Sequence, residues 1–409
     1  MIYDVASQDE LLRFAEHPDA ASAVALTEDG TRAITGACAR RDENRTCIQG
    51  ELLLWDLTTG LEVRRYGTRG GQNLDGIALH PNEQVVVGSG CILTDNACTD
   101  PIMLGWSIAD GEQVARLRGH TARITDAAFR ADGTQLASVS LDDTLQLWDW
   151  ESQQITRTIP LNTGGAWQVI YSQDGMQLVT AGQDGTVAVW NASTGEALWR
   201  LEGHTDAALA VAISQNGQVA LSGGADGQVI LWSLRTGAII RRLVGHLDDV
   251  QGVAFDSTGL RAASVSGDGT LILWNIADGS IIFRLEGHAS GVSSLLFSPD
   301  DQFIATGGAD GDIIVWDVAS AAEVRRLRGH TTAVNEMAFR LEGRSLISGA
   351  AGGTLILWRA RDTLEDILNW AEDNRLLAEL TCQQQVTYLL DESCATATSI
   401  AQGTPTPAR

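Results

Sequence analysis

The sequence predicts an all-β protein, an eight-bladed β-propeller of four-stranded antiparallel blades, and three observations carry that expectation. Trp148, Trp190, Trp232, Trp274, Trp316 and Trp358 recur every 42 residues, with Trp106 one step upstream and Trp55 a longer step of 51 before it. Each tryptophan closes a short apolar run such as LQLW, VAVW, VILW or IIVW. Between them lie Val-, Ile- and Leu-rich runs bounded by QNG, ADG and RTG, the composition of strands joined by tight turns.

One unit reads RLEGH, AVAIS, QVALSGG and QVILW, four strands in succession. A single such sheet cannot bury both faces, so repeats of this length stack around an axis and share a core between neighbours. No outer strand follows Trp358, while the run Leu11 to Ala15 precedes any complete blade. The N-terminal strand is therefore expected to complete the last blade and close the ring. Seven blades, with the first repeat folding apart, is the alternative count. The expected domains are the propeller over 1–361, a helical cap over 362–394 and a disordered tail or linker over 395–409.

Composition excludes much chemistry. The 409 residues carry 52 acidic against 28 basic side chains, a net charge of −24 that disfavours DNA, RNA and anionic lipid. Every basic residue is Arg, so Schiff-base catalysis and the lysine of a phosphate-binding loop are absent from the sequence. No apolar run reaches the roughly 18 residues of a membrane-spanning helix.

Gly-His dipeptides at His120, His204, His246, His288 and His330 each stand 28 residues before a tryptophan, and endings such as TLQLWD and IIVWD follow. Over residues 10 to 361 the chain resembles the WD-repeat β-propeller family. The resemblance implies a non-enzymatic platform for proteins or peptides. It also implies a hydrogen-bonded tetrad in each blade. The matching sets are His120, Ser138, Asp142 and Trp148; His204, Ser222, Asp226 and Trp232; His246, Ser264, Asp268 and Trp274; and His288, Thr306, Asp310 and Trp316. Blade four has Asn162 in place of His beside Thr180, Asp184 and Trp190. Blade eight has Gly352 in place of Asp beside His330, Ser348 and Trp358. Both are expected to be looser locally.

In such propellers the face bearing the turns before the first and after the second inner strand commonly binds partners. Carried over, that face comprises Arg123, Thr125, Leu141, Trp167, Gln183, Leu209, Asp249, Gln251 and Asn335. An exposed Trp167 beside Leu209 and Arg123 has the composition of a binding hot spot; alternatively Trp167 fills the space of the missing histidine.

Six cysteines fall in three local pairs, Cys38 with Cys47, Cys91 with Cys98, and Cys382 with Cys394. The first two pairs flank expanded turns in blades one and two, expected to form a wall on the binding face. Local pairs favour disulfides and an extracytoplasmic compartment. A four-cysteine zinc site needs shorter spacings, and free thiols in a cytosolic protein remain the simplest alternative. The opening MIYDVASQDE lacks a signal-peptide pattern, so export requires a removed leader or a longer parent chain.

Past Asp362 the period ends. Thr363 and Asp366 resemble a capping box for a helix to about Asp373, and a second helix is expected from Thr381 to Leu390. The tail ATATSIAQGTPTPAR reads as linker.

No catalytic residues, metal or cofactor are expected. Six of seven histidines occupy Gly-His or equivalent positions, leaving His80, read as a surface residue. STGEALW, Ser193 to Trp199, resembles a docking segment of quinone-dependent dehydrogenase propellers, but it occurs once. The expected role is a monomeric recognition propeller for a protein or peptide, as the extracytoplasmic sensor of a larger signalling protein, with a cytosolic assembly scaffold as the alternative and a quinone-dependent dehydrogenase as a remote one.

Overall fold

The computed structural model describes residues 10–14, 21–41, 47–67, 72–94, 97–340 and 343–361. The expected C-terminal helices, Cys382, Cys394 and His17 lie outside the described residues.

Among the described residues thirty-two strands form eight four-stranded antiparallel sheets. In seven sheets the chain runs from the innermost strand outward, and in the eighth the outermost strand is the N-terminal one. Blade five shows the pattern: Ala208–Ile213, Val219–Gly224, Gln228–Ser233 and Ile239–Val244. The third strands, VILW and its equivalents, are buried at successive positions rather than alternating ones, because neighbouring blades cover both faces of the sheet. The outermost strands return to a largely exposed pattern.

The hydrophobic core is correspondingly distributed, with each cluster shared between adjacent blades. Val179, Val187 and Val189 of blade four pack with Val211, Ile230 and Trp232 of blade five. The same arrangement joins the last blade to the first, where Leu355 and Leu357 meet Ala33, Leu53 and Trp55.

Closure follows the sequence expectation, one residue earlier. Glu10–Arg13 pairs antiparallel with the third strand of blade eight, Arg13 opposite Ile356. Phe14 N–H continues the ladder to Leu355 O at 3.1 Å, and its ring meets Trp55 edge-on at 5.1 Å. The second and third strands of blades one and two lengthen into hairpins, Arg32–Arg41 with Cys47–Asp56 and Val85–Thr94 with Ala97–Ser107. Second strands elsewhere have six residues.

His80 is not a surface residue. It is 8% exposed, because it sits where blade two meets blade three. Its Nε2–H donates to Gly133 O at 3.0 Å, its Nδ1 accepts the Asn82 N–H, and Phe129 and Trp150 pack around the ring. Both nitrogens are committed, so the imidazole is a structural tie between blades.

Candidate functional site: the cavity at the propeller mouth

The tetrads fix the mouth. In blade five Trp232 Nε1–H donates to Ser222 Oγ at 2.8 Å, and Ser222 Oγ lies 2.7 Å from His204 Nε2. An indole is a donor only, so the serine accepts from it and passes its own proton toward Nε2; the remaining ring proton sits on Nδ1, 2.9 Å from Asp226. Blades three and seven repeat the relay through His120 and His288. In blade six His246 Nδ1 meets Thr270 Oγ1 at 3.0 Å, with Asp268 at 3.4 Å. Burial alone would raise the Asp142 and Asp226 carboxyls. Donors from the histidine and from nearby backbone N–H groups outweigh it and hold both below the usual range.

The two incomplete tetrads are compensated rather than empty. In blade eight Thr354 Oγ1 takes the place of the missing carboxylate on His330 Nδ1. In blade four Arg200 reaches Leu161 O, Asn162 O and Asp184 Oδ2 at 2.9–3.0 Å, bracing a turn where Asn162 adopts a φ of 55°. Equivalent arginines brace blades five and seven through Gly203 O and Gly287 O.

Every innermost strand carries a β-bulge, at its second residue in seven blades, as between Ala166 and Gln168 or Ala208 and Ala210, and at the fourth, between Leu74 and Gly76, in blade two. A bulge redirects the side chain it contains. The bulge residues Trp167, Leu209, Gln251 and Asn335 thereby line one cavity of about 340 Å³, together with the residues one position deeper, Asp126, Gln168 and Glu336 among them. Trp167 is 36% exposed and faces this cavity, so it does not occupy the missing histidine's space.

The other expected surface residues are placed differently. Thr125, also a bulge residue, donates to Ala166 O at 2.6 Å and ties blade three to blade four. Arg123 and Gln183 are exposed and Leu141 and Asp249 half-buried, all four outside the cavity lining. Trp199, in the quinone-docking resemblance, donates to Leu234 O at 2.8 Å and lies over Gly237 (φ 68°), where a Cβ would stand 2.4 Å from the ring.

The deeper ring was missed in the sequence. Asp126 Oδ2 accepts Val169 N–H at 3.0 Å and Gln168 Oε1 accepts Val211 N–H at 2.8 Å, while Glu336 is bonded by the Val24 N–H. Each links its blade to the next. Enclosure by the inner strands pushes Asp126 up to about 7. Glu336 is open to water in the lumen yet ringed by strands; this enclosure, with the nearby Asp126 charge, pushes it up to about 7 as well. The sequence signal was available: other blades hold Ala210, Gly252 or Ser294 at this position.

Among the described residues no group of three or more His, Cys, Asp or Glu is arranged to hold a metal ion. Fold, tetrads and mouth together define a WD-repeat propeller. Matches to the WD40 family, described as WD domain, G-beta repeat, cover residues 111–149, 153–191, 195–233, 237–275, 279–317 and 322–359, more than half the chain. The chain belongs to the WD40-repeat family.

It is similar to transducin beta-like protein 3 of Bos taurus, 27% identical over 151 residues that make up 36% of this chain and 16% of that protein. Telomerase protein component 1 of Rattus norvegicus is 29% identical over 142 residues, 34% of this chain and 5% of that protein. The chain thus matches only a small part of either relative. The crystal structure of the computationally designed Ika8 protein is similar over 86% of this chain and 99% of its own, at 28% identity and a TM-score of 0.72.

Proposed function

We propose that this WD40 propeller captures a protein or peptide segment at the cavity mouth, with Trp167 and Leu209 as its apolar anchors. The observation that carries this reading is the set of bulges, which place an aromatic, an aliphatic and two amide side chains, Gln251 and Asn335, around one concave opening. Apolar anchors surrounded by polar groups are the composition of a binding hot spot. Protein-interaction propellers of this family supply the coarser role; the residues are this reading's own content.

The test is selection of linear peptides from a displayed random library on the full chain. Selected peptides should lose at least tenfold in affinity on Trp167→Ala and on Leu209→Ser, with the circular dichroism unchanged, as expected for anchors worth about 1.4 kcal/mol or more. Leu61→Ser, on an exposed outer strand, should leave affinity unaltered. Binding indifferent to both mouth variants would overturn the reading.

An extracytoplasmic sensor role within a larger protein is the finer proposal. What supports it is the grouping of all six cysteines into three local pairs.

A further inference from the structure

The mouth cavity carries a charge pattern that its apolar rim does not explain. Asp126 of blade three and Glu336 of blade eight both line it, and among the described residues no basic side chain does. On the two blades between them the equivalent positions are Gly76 and Ala23, and on blades five to seven Ala210, Gly252 and Ser294. The two carboxylates therefore look into a common space that no other side chain of their ring fills, save Gln168.

Their hydrogen bonds come from backbone N–H groups, which hold the carboxylates in place without neutralising them. Many arginines of the outer strands pair with Asp or Glu, whereas these two carboxylates have no arginine partner among the described residues. Two carboxylates that face one space repel each other when both are charged, and a cation placed between them relieves that repulsion. The net charge of −24 draws a basic partner toward the mouth.

We propose that the cavity receives one cationic side chain, the arginine or lysine of a partner's exposed segment, between the carboxylates of Asp126 and Glu336, while apolar residues flanking it rest on Trp167 and Leu209. A slender stem passes the rim and its charged end reaches the deeper ring. The inference rests on the mouth being the capture site and adds the chemistry of what is captured.

The experiment uses the peptides selected on the full chain. Each is resynthesised with a fluorescent label, alongside an analogue with citrulline in place of arginine or norleucine in place of lysine, and affinities are read by anisotropy. The expected result is a cationic residue common to the selected peptides, a loss of tenfold or more in the neutral analogue, and a similar loss in Asp126→Asn/Glu336→Gln. These amides keep an acceptor for each inter-blade N–H, from Val169 and from Val24, while the amide at position 126 gives up the second acceptor that Asp126 offers to Ala127 N–H. Gln168→Glu, which can still accept Val211 N–H, should tighten binding of the cationic peptides.

Neutral analogues that bind as well as the parents, with Trp167→Ala still damaging, would overturn the cationic inference and leave the mouth reading standing. Peptides indifferent to Trp167→Ala would overturn both.

Discussion

At the scale of single residues, the serine or threonine of each tetrad has the most to hold. Ser222 accepts from Trp232 and donates to His204, and all three are buried. Ser222→Ala strands two polar groups, each costing about 1–3 kcal/mol. Thr180 serves only the Trp190 indole at 3.1 Å, because blade four lacks the histidine. Thr180→Val, which keeps the shape, strands one. Chemical denaturation should therefore show Ser222→Ala more destabilised than Thr180→Val, by about 1 kcal/mol or more. Equal losses would mean that the imidazole finds another donor when the hydroxyl is removed.

At the scale of elements, the repeat period made the strands legible. A tryptophan every 42 residues, with turn residues at constant offsets, specifies strand order, blade count and the tetrads. The bulges were not legible, because a one-residue register shift leaves no mark in composition. Trp167 was therefore ambiguous, Thr125 was expected at the surface, and Asp126 and Glu336 passed unnoticed on strands whose neighbours are apolar. His80 was misread for a related reason: its partners, Gly133 and Trp150, come from the next repeat.

The hairpins of blades one and two pose the same question of register. Cys91 lies opposite Pro101 and Cys98 opposite Leu93, so the two cysteines are diagonal rather than facing. Diagonal neighbours on paired strands stand about 7–8 Å apart. A disulfide needs Cα atoms about 4.4–6.8 Å apart, so bridging them requires the hairpin end to shift. Under the extracytoplasmic proposal, intact mass after alkylation without reductant, on protein from its native source, should show all six cysteines protected. Six alkylated thiols would overturn that proposal and favour a cytosolic assembly scaffold.

At the scale of the whole molecule, the ring is held by opposing pH responses. Burial, with the Arg13 charge nearby, lowers His330 to about 4. An unfolded histidine near 6.5 binds its proton more readily, so this site costs stability as pH falls from 6.5 toward 4. Asp126 and Glu336 act in the other direction. Their folded values near 7 exceed the ordinary carboxyl values of 3.8 and 4.5, so stability is fully present below those values and is lost as pH rises through 7. Among the described residues they are the titratable ones lining the cavity. Asp126→Asn/Glu336→Gln removes this loss while keeping the acceptors between blades. Thermal melts should place the double variant above the parent at pH 8, by about 1–2 °C for a change near 1 kcal/mol in a domain of this size, with the difference vanishing near pH 4. A variant less stable than the parent at pH 8 would show that the ionised carboxylates strengthen the inter-blade bonds by more than their enclosure costs. A stabilised variant that also fails to bind cationic peptides would show that the ring gives up stability at neutral pH for the charge that recognition requires.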